Sequence, residues 1–160
     1  MSTEMVQAAW ELLREAYQYQ EGEDYDMAEE LYKRSIKLHP TAEAYTFLGW
    51  TYHYQGKLDE AIEECRKAIY VDPDFGTPYN DIGAYLIQKG RHDEAIPWLE
   101  RAIQSRRYDS YHYPYFNLGR AYMATESYKK ARKCFQKALT LCPDYLIAQD
   151  SLDELQRLIQ

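Results

Sequence analysis

The residues of this 160-residue chain with most scope for catalysis or metal binding are four histidines and three cysteines. His39, His53, His92 and His112 are scattered along the chain without metal-ligand spacing. Cys65, Cys134 and Cys142 form no Cys-x-x-Cys pair. There is no phosphate loop, no His-Glu-x-x-His and no Gly-x-Ser-x-Gly. Acidic pairs such as Glu29-Glu30 and Glu63-Glu64 read as exposed helix faces. An enzyme needs a pocket where polar groups converge, and no constellation here supplies one. The expectation is therefore a protein that is not an enzyme and has no cofactor and no metal.

Three cysteines cannot all pair within one chain, which fits a reducing, cytoplasmic setting. Met1 to Trp10 has neither a basic n-region nor an apolar h-region. No stretch reaches the roughly 18 consecutive apolar residues that span a bilayer. A soluble protein without a membrane partner is expected.

Apolar residues make up 46% and charged residues 28%, the balance of an ordinary globular protein rather than a disordered or collagen-like one. The net charge of −7 makes nucleic acid a poor default partner. The charge is uneven. Residues 1–40 carry 4 basic and 9 acidic residues, a net of −5, and residues 41–104 carry 6 and 11, again −5. Residues 105–145 carry 8 basic and 3 acidic, a net of +5. That basic segment is either a solvated helix face or a docking patch for an acidic partner, including the acidic end of another copy.

The chain repeats itself. Ala28-Glu-Glu-Leu-Tyr-Lys-Arg-Ser35, Ala61-Ile-Glu-Glu-Cys-Arg-Lys-Ala68, Ala95-Ile-Pro-Trp-Leu-Glu-Arg-Ala102 and Ala131-Arg-Lys-Cys-Phe-Gln-Lys-Ala138 align at separations of 33, 34 and 36. Ahead of the last three stand Tyr45-Thr-Phe-Leu-Gly-Trp-Thr-Tyr52, Tyr79-Asn-Asp-Ile-Gly-Ala-Tyr-Leu86 and Tyr115-Phe-Asn-Leu-Gly-Arg-Ala-Tyr122, separated by 34 and 36. Two sub-patterns with one spacing define a unit of two short helices. In the second unit Tyr45, Leu48, Gly49 and Tyr52 share a helical face. Gly56-Lys57-Leu58 interrupts it, and Asp59 can cap or charge-stabilise the next helix. Pro73 ends that helix by forcing Asp72 out of the α region. Gly49, Gly83 and Gly119 face large side chains of the partner helix, and Ala61, Ala95 and Ala131 match them. Small residues there let the paired helices approach closely.

This pattern resembles the tetratricopeptide repeat (TPR), a 34-residue helix–turn–helix unit. The second unit matches through Tyr45, Leu48, Gly49, Tyr52, Ala61, Cys65, Ala68 and Pro73. The third matches through Tyr79, Ile82, Gly83, Leu86, Ala95, Leu99 and Ala102, with Arg107 in place of Pro. The fourth offers Tyr115, Leu118, Gly119, Tyr122, Ala131, Phe135, Ala138 and Pro143. The first, with Leu12, Glu15, Ala16, Tyr19, Ala28, Tyr32, Ser35 and Pro40, fits least well, and Glu15 is its misfit. The resemblance implies an all-α fold, an α-α superhelix or TPR solenoid of four helix–turn–helix repeats. A single domain over 1–160 is expected, with repeats at about 9–41, 42–75, 76–111 and 112–145. Residues 146–160 read as a C-terminal capping helix, with Leu152, Leu155, Leu158 and Ile159 at helical spacing.

The resemblance also implies a function: a protein–protein interaction scaffold that binds an extended segment of a partner in a concave groove lined by the first helices. Carried over by position, the groove residues are Tyr17, Thr46, Trp50, His53, Tyr54, Asn80, Ile87, Tyr113, Phe116, Arg120 and Met123. Trp10, Leu13 and Gln20 occupy the other inner positions of the first repeat. A longer turn in that repeat makes Trp10, Leu13 and Tyr17 core-facing instead, and that register stays open. Chaperone-binding members hold a terminal carboxylate with Lys, Asn and Arg. Leu13, Tyr17 and Phe47 fall where that clamp needs polar groups, and only Asn80, Asn117 and Arg120 are of the right kind. The groove reads instead as aromatic with one positive charge, suited to an apolar or proline-containing segment that carries an acidic residue. An alternative is self-assembly, with the acidic N-terminal repeats of one copy meeting the basic fourth repeat of another.

Two residues are inserted between the third and fourth repeats, within Arg106-Arg107-Tyr108-Asp109-Ser110-Tyr111-His112-Tyr113. Its tyrosines either cover neighbouring helix ends or, with the arginines, contact a partner.

Overall fold

The computed structural model describes residues 2–160, and among them nine helices. They are α1 (Thr3–Glu21), α2 (Tyr25–Leu38), α3 (Ala42–Tyr54), α4 (Leu58–Val71), α5 (Thr77–Gln88), α6 (His92–Ile103), α7 (His112–Ala124), α8 (Tyr128–Leu141) and α9 (Leu146–Leu158). The architecture is all-α: four helix pairs and a capping helix. α1 begins at Thr3, ahead of the repeat boundary read near residue 9, because Ser2 supplies an N-cap oxygen to the Met5 N–H at 3.2 Å.

The turn inside each pair is built the same way. The chain reverses through a left-handed residue, Gly56 (φ 79°), Gly90 (φ 80°), Glu23 (φ 63°) or Glu126 (φ 60°). The next N–H then reaches back to the last turn of the first helix. Asp24 N–H donates to Tyr19 O at 2.9 Å. Lys57 to Tyr52, Arg91 to Leu86 and Ser127 to Tyr122 are each 2.8 Å. This is the Schellman geometry that satisfies a helix's last carbonyls. Glycine suits it at two turns, whereas glutamate bears the steric cost at the other two. Asp59 lies inside the first turn of α4 rather than capping it, so its contribution is electrostatic.

The chain packs as two compact units divided between Pro78 and Tyr79. In the first, α1 pairs with α2 and α3 with α4, and α3 also packs on α2. Ala9, Leu13, Ala16, Ala28, Tyr32, Leu48, Ala61, Cys65 and Ala68 are buried there. In the second, Phe116, Ala131, Phe135, Ala138, Ala148, Leu152 and Leu155 form one cluster. Three of those residues come from α9, which covers the apolar face of α8 as a cap should. Leu158 and Ile159 are exposed, at the fraying end of the cap, so its buried stripe is Ala148, Leu152 and Leu155 instead.

Gly49, Gly83 and Gly119 lie against the partner helix. A methyl placed on them would meet the Ala61 carbonyl at 3.2 Å, Leu99 Cγ at 2.5 Å and Phe135 Cδ1 at 2.6 Å, respectively. The inserted loop is held from within. Tyr111 donates its hydroxyl to Ser105 O at 2.8 Å and meets Tyr108 edge-on at 5.4 Å. Burial, with Asp81 nearby, pushes the Tyr108 phenol well above its usual range. Tyr108 and Tyr111 therefore pack within the loop, while Arg106 and Arg107 stay exposed.

Candidate functional site

The first unit presents an aromatic cleft between α1 and α3. Leu13, Arg14, Tyr17 and Gln18 form one wall, and Phe47 and Trp50 form the other. The concavity measures about 460 Å³. Helical spacing sets the walls: positions 13, 14, 17 and 18 follow the i, i+1, i+4, i+5 pattern of one face, as 47 and 50 follow i, i+3. Phe47 is the hinge of the cluster. Its ring lies 4.6 Å from Trp50, 5.9 Å from Tyr17 and 6.2 Å from Tyr32. Under the rings, Thr51 donates its hydroxyl to Gln20 Oε1 at 2.6 Å, a buried bond that ties α1 to α3.

Of the first-unit groove residues, Tyr17 and Trp50 belong to this cleft. Thr46 does not. It is fully buried, at 0% exposure. It packs and offers no surface to a ligand. Tyr54 is exposed but stacks on Tyr25 of α2, with centroids 5.4 Å apart and ring planes at 17°. His53 is half-buried beside Tyr54, and burial holds its imidazole below the ordinary histidine range. In the first helix Leu13 is core-facing, Tyr17 is exposed and Trp10 is half-buried. The register is therefore split: one of the three candidates faces the core. Phe47, Arg14 and Gln18 were not in the groove set carried over by position.

The second unit presents a different arrangement around Arg120. Its guanidinium donates from Nη1 to Asn117 Oδ1 at 3.1 Å, and Asn117 Nδ2 donates to Asn80 Oδ1 at 3.0 Å. Arg120 lies over the Phe116 ring at 5.8 Å. Tyr145, from the start of α9, closes the other side. Its ring meets Phe116 at 5.2 Å, His112 at 5.3 Å and Tyr113 at 5.9 Å. Burial lowers the Arg120 guanidinium from its usual range. Burial and the neighbouring Tyr113 push the Tyr145 phenol up to about 12, while Arg120 opposes the rise. Asn80 and Phe116 are nearly enclosed and form the floor, whereas Tyr113 is exposed at the rim and Met123 is half-buried. Ile87, at 6% exposure, packs rather than presents a surface. Tyr145 lies just ahead of the cap, outside the first-helix positions, at the place that Phe75 holds in the second repeat, two residues after Pro143 as Phe75 is after Pro73.

Cys65, Cys134 and Cys142 are free thiols. Burial pushes Cys134 up to about 11, opposite to the shift of a nucleophilic thiolate. No three His, Cys, Asp or Glu side chains among the described residues are grouped to hold a metal ion. No helix among them is long and apolar enough to cross a membrane.

Family models described as tetratricopeptide repeat match residues 12–42, 42–75 and 74–144, from the middle of α1 through the end of α8. The chain belongs to the tetratricopeptide repeat family. Among curated TPR relatives, a "Small glutamine-rich tetratricopeptide repeat-containing protein 2" from Mycosarcoma maydis is 29% identical over 104 residues, covering 64% of this chain and 30% of that protein. The "Photosystem I assembly protein Ycf3" of Prochlorococcus marinus is 29% identical over 102 residues, covering 57% and 59%. The chain thus spans well under two thirds of the length of the curated relatives it matches. Among solved TPR folds, Pseudomonas aeruginosa pilF superimposes with a TM-score of 0.89 at 21% identity, covering 96% of this chain and 69% of that one. The first TPR of Spaghetti (RPAP3), solved bound to the HSP90 peptide SRMEEVD, gives 0.69 at 24% identity, covering 74% and 93%. TPR proteins are in general non-enzymatic scaffolds that bind other proteins.

Proposed function

We propose that this TPR protein is an adaptor that takes an extended segment of a partner protein on the inner faces of its first helices. The observation that carries this reading is the aromatic cleft of the first unit, where Tyr17, Phe47 and Trp50 line an open concavity. Rings held in place by one another lose little freedom on binding and offer flat apolar surface, which suits leucine-, aromatic- or proline-containing segments. Arg14 at the cleft adds a cationic point for an acidic residue of that segment. The compartment we assign is the cytoplasm, since three free thiols persist best in a reducing setting.

The test is affinity capture from the source cell's lysate, with wild type beside a Trp50→Ala, Arg120→Ala variant of equal helicity. A partner kept by the wild type alone is the expected result. A partner kept equally by both would remove the inner faces from the reading.

A second reading, self-association, is favoured by charge. α8 carries Lys129, Lys130, Arg132, Lys133 and Lys137 with no acidic residue, while residues 1–40 hold a net of −5. Contact between these surfaces of two copies would weaken with salt. A monomer in sedimentation at low salt and high concentration would reject it.

A further inference from the structure

Arg120 is a half-buried cation without an acid. No carboxylate is paired with it among the described residues; its partners are the Asn117 side chain and the rings of Phe116 and Tyr145. Removing a guanidinium from water is unfavourable unless a counter-charge and hydrogen bonds replace the water. The fold supplies one hydrogen bond and aromatic walls, and leaves the counter-charge out.

The hydrogen bonds have one possible direction. Arginine only donates, so Asn117 must turn its oxygen toward Arg120. Its amide nitrogen then faces Asn80, which must present its own oxygen. The Asn80 side chain makes no other hydrogen bond among the described residues, so its Nδ2 remains a donor without an acceptor. Arg120 uses one of its five N–H groups in this chain. The unused N–H groups of Asn80, Asn117 and Arg120 therefore outnumber their unused lone pairs, of which one is left on each amide oxygen. The fitting ligand is rich in acceptors and carries negative charge, and the rings of Phe116 and Tyr145 beside the guanidinium favour apolar groups next to that charge.

We propose that Asn80, Asn117 and Arg120, walled by Phe116 and Tyr145, form a recognition niche for a single acidic side chain, Asp or Glu, flanked by an apolar residue in a partner segment. This rests on the reading of the first-helix faces as the binding surface. Tyr145 makes the niche joint property of the last repeat and its cap.

Asn117→Asp tests it. That change keeps the shape and sets a permanent carboxylate against Arg120, while Asn80 can turn its amide to donate to the new acid. Arg120→Met is the companion variant and keeps the apolar stem. A phage-displayed library of random peptides is selected on wild type and on both variants. Binding of the selected peptides is mapped by backbone amide NMR, and melting temperatures are recorded. On wild type the selected peptides should carry an acid at one fixed position beside an apolar residue, and should shift α5 and α7 amides. The variants should lose the fixed acid. A wild-type-selected peptide should bind them roughly tenfold to a hundredfold more weakly, the range of hydrogen bonds to a charged group. Both variants should melt no lower than wild type, since Arg120→Met removes the uncompensated charge and Asn117→Asp pairs it.

A fixed acid that survives both changes, or wild-type peptides with none, would overturn the niche while leaving the binding face in place. A fall in melting temperature for both variants would make Arg120 a structural residue and overturn it likewise. No selected peptide at all, or peptides that leave first-helix amides unmoved, would overturn the inner-face reading and the niche with it.

Discussion

Gly119 lies directly beneath the ring of Phe135, so close that a methyl on its Cα would stand 2.6 Å from Phe135 Cδ1 and 2.8 Å from Cζ. Phe135 is fully buried and cannot swing aside. Gly119→Ala should therefore overpack this contact and cost about 1–3 kcal/mol. Gly49→Ala, whose nearest neighbour is the Ala61 carbonyl at 3.2 Å, should cost less. Urea unfolding of both variants checks the order. Phe135→Leu placed on Gly119→Ala should recover part of the loss, and a double-mutant cycle showing no coupling would reject the contact as its source.

The buried bond from Thr51 to Gln20 is the polar tie between α1 and α3. Thr51→Val keeps the shape and leaves Gln20 Oε1 without its donor. The expected cost is about 1–3 kcal/mol, the price of an unsatisfied buried acceptor. Equal stability of Thr51→Val and wild type in chemical denaturation would show that water takes the donor's place.

Glu126 adopts φ 60° where the equivalent Gly56 and Gly90 adopt φ near 80°. Left-handed backbone costs an L-residue roughly 1–2 kcal/mol, partly offset by glycine's larger unfolded entropy. Glu126→Gly should raise stability by about 0.5–1 kcal/mol, and Glu23→Gly should act alike. A lower melting temperature for both would mean that these side chains do something the turn geometry does not require.

Burial lowers the His53 pKa in the fold, so the folded state prefers the neutral ring. The unfolded chain binds the proton more tightly. His53's contribution to stability is thus full above the unfolded value, about 6.5, and is lost as pH falls through the lower folded value. His53→Gln should flatten the stability profile on the acid side of neutrality. An unchanged slope in that window would assign it to other groups.

How much was legible beforehand follows from what kind of information each feature needs. The repeats, the helix pairs, the close-packed glycines and the cap are all written in spacings of a few residues, or in a period of 33 to 36. Periodicity along one helix says which side chains share a face, and so it determined the fold class, the turn positions and which residues had to be small. It does not say what stands opposite that face. Thr46 and Trp50 occupy neighbouring turns of α3, yet one is fully enclosed and the other borders an open cleft. Phe47 became the centre of the aromatic cluster only because α1 and α2 bring Tyr17 and Tyr32 to it. Asn80 and Asn117 stand 37 residues apart and met only through packing. Tyr145 joined them from the end of the fourth repeat, just ahead of the cap. The sequence by itself determined the repeating scaffold, because local helix and turn energetics act within one repeat. The tertiary structure alone decided which equivalent positions are buried and which charge is left unpaired, because those depend on neighbours that the chain brings together from afar.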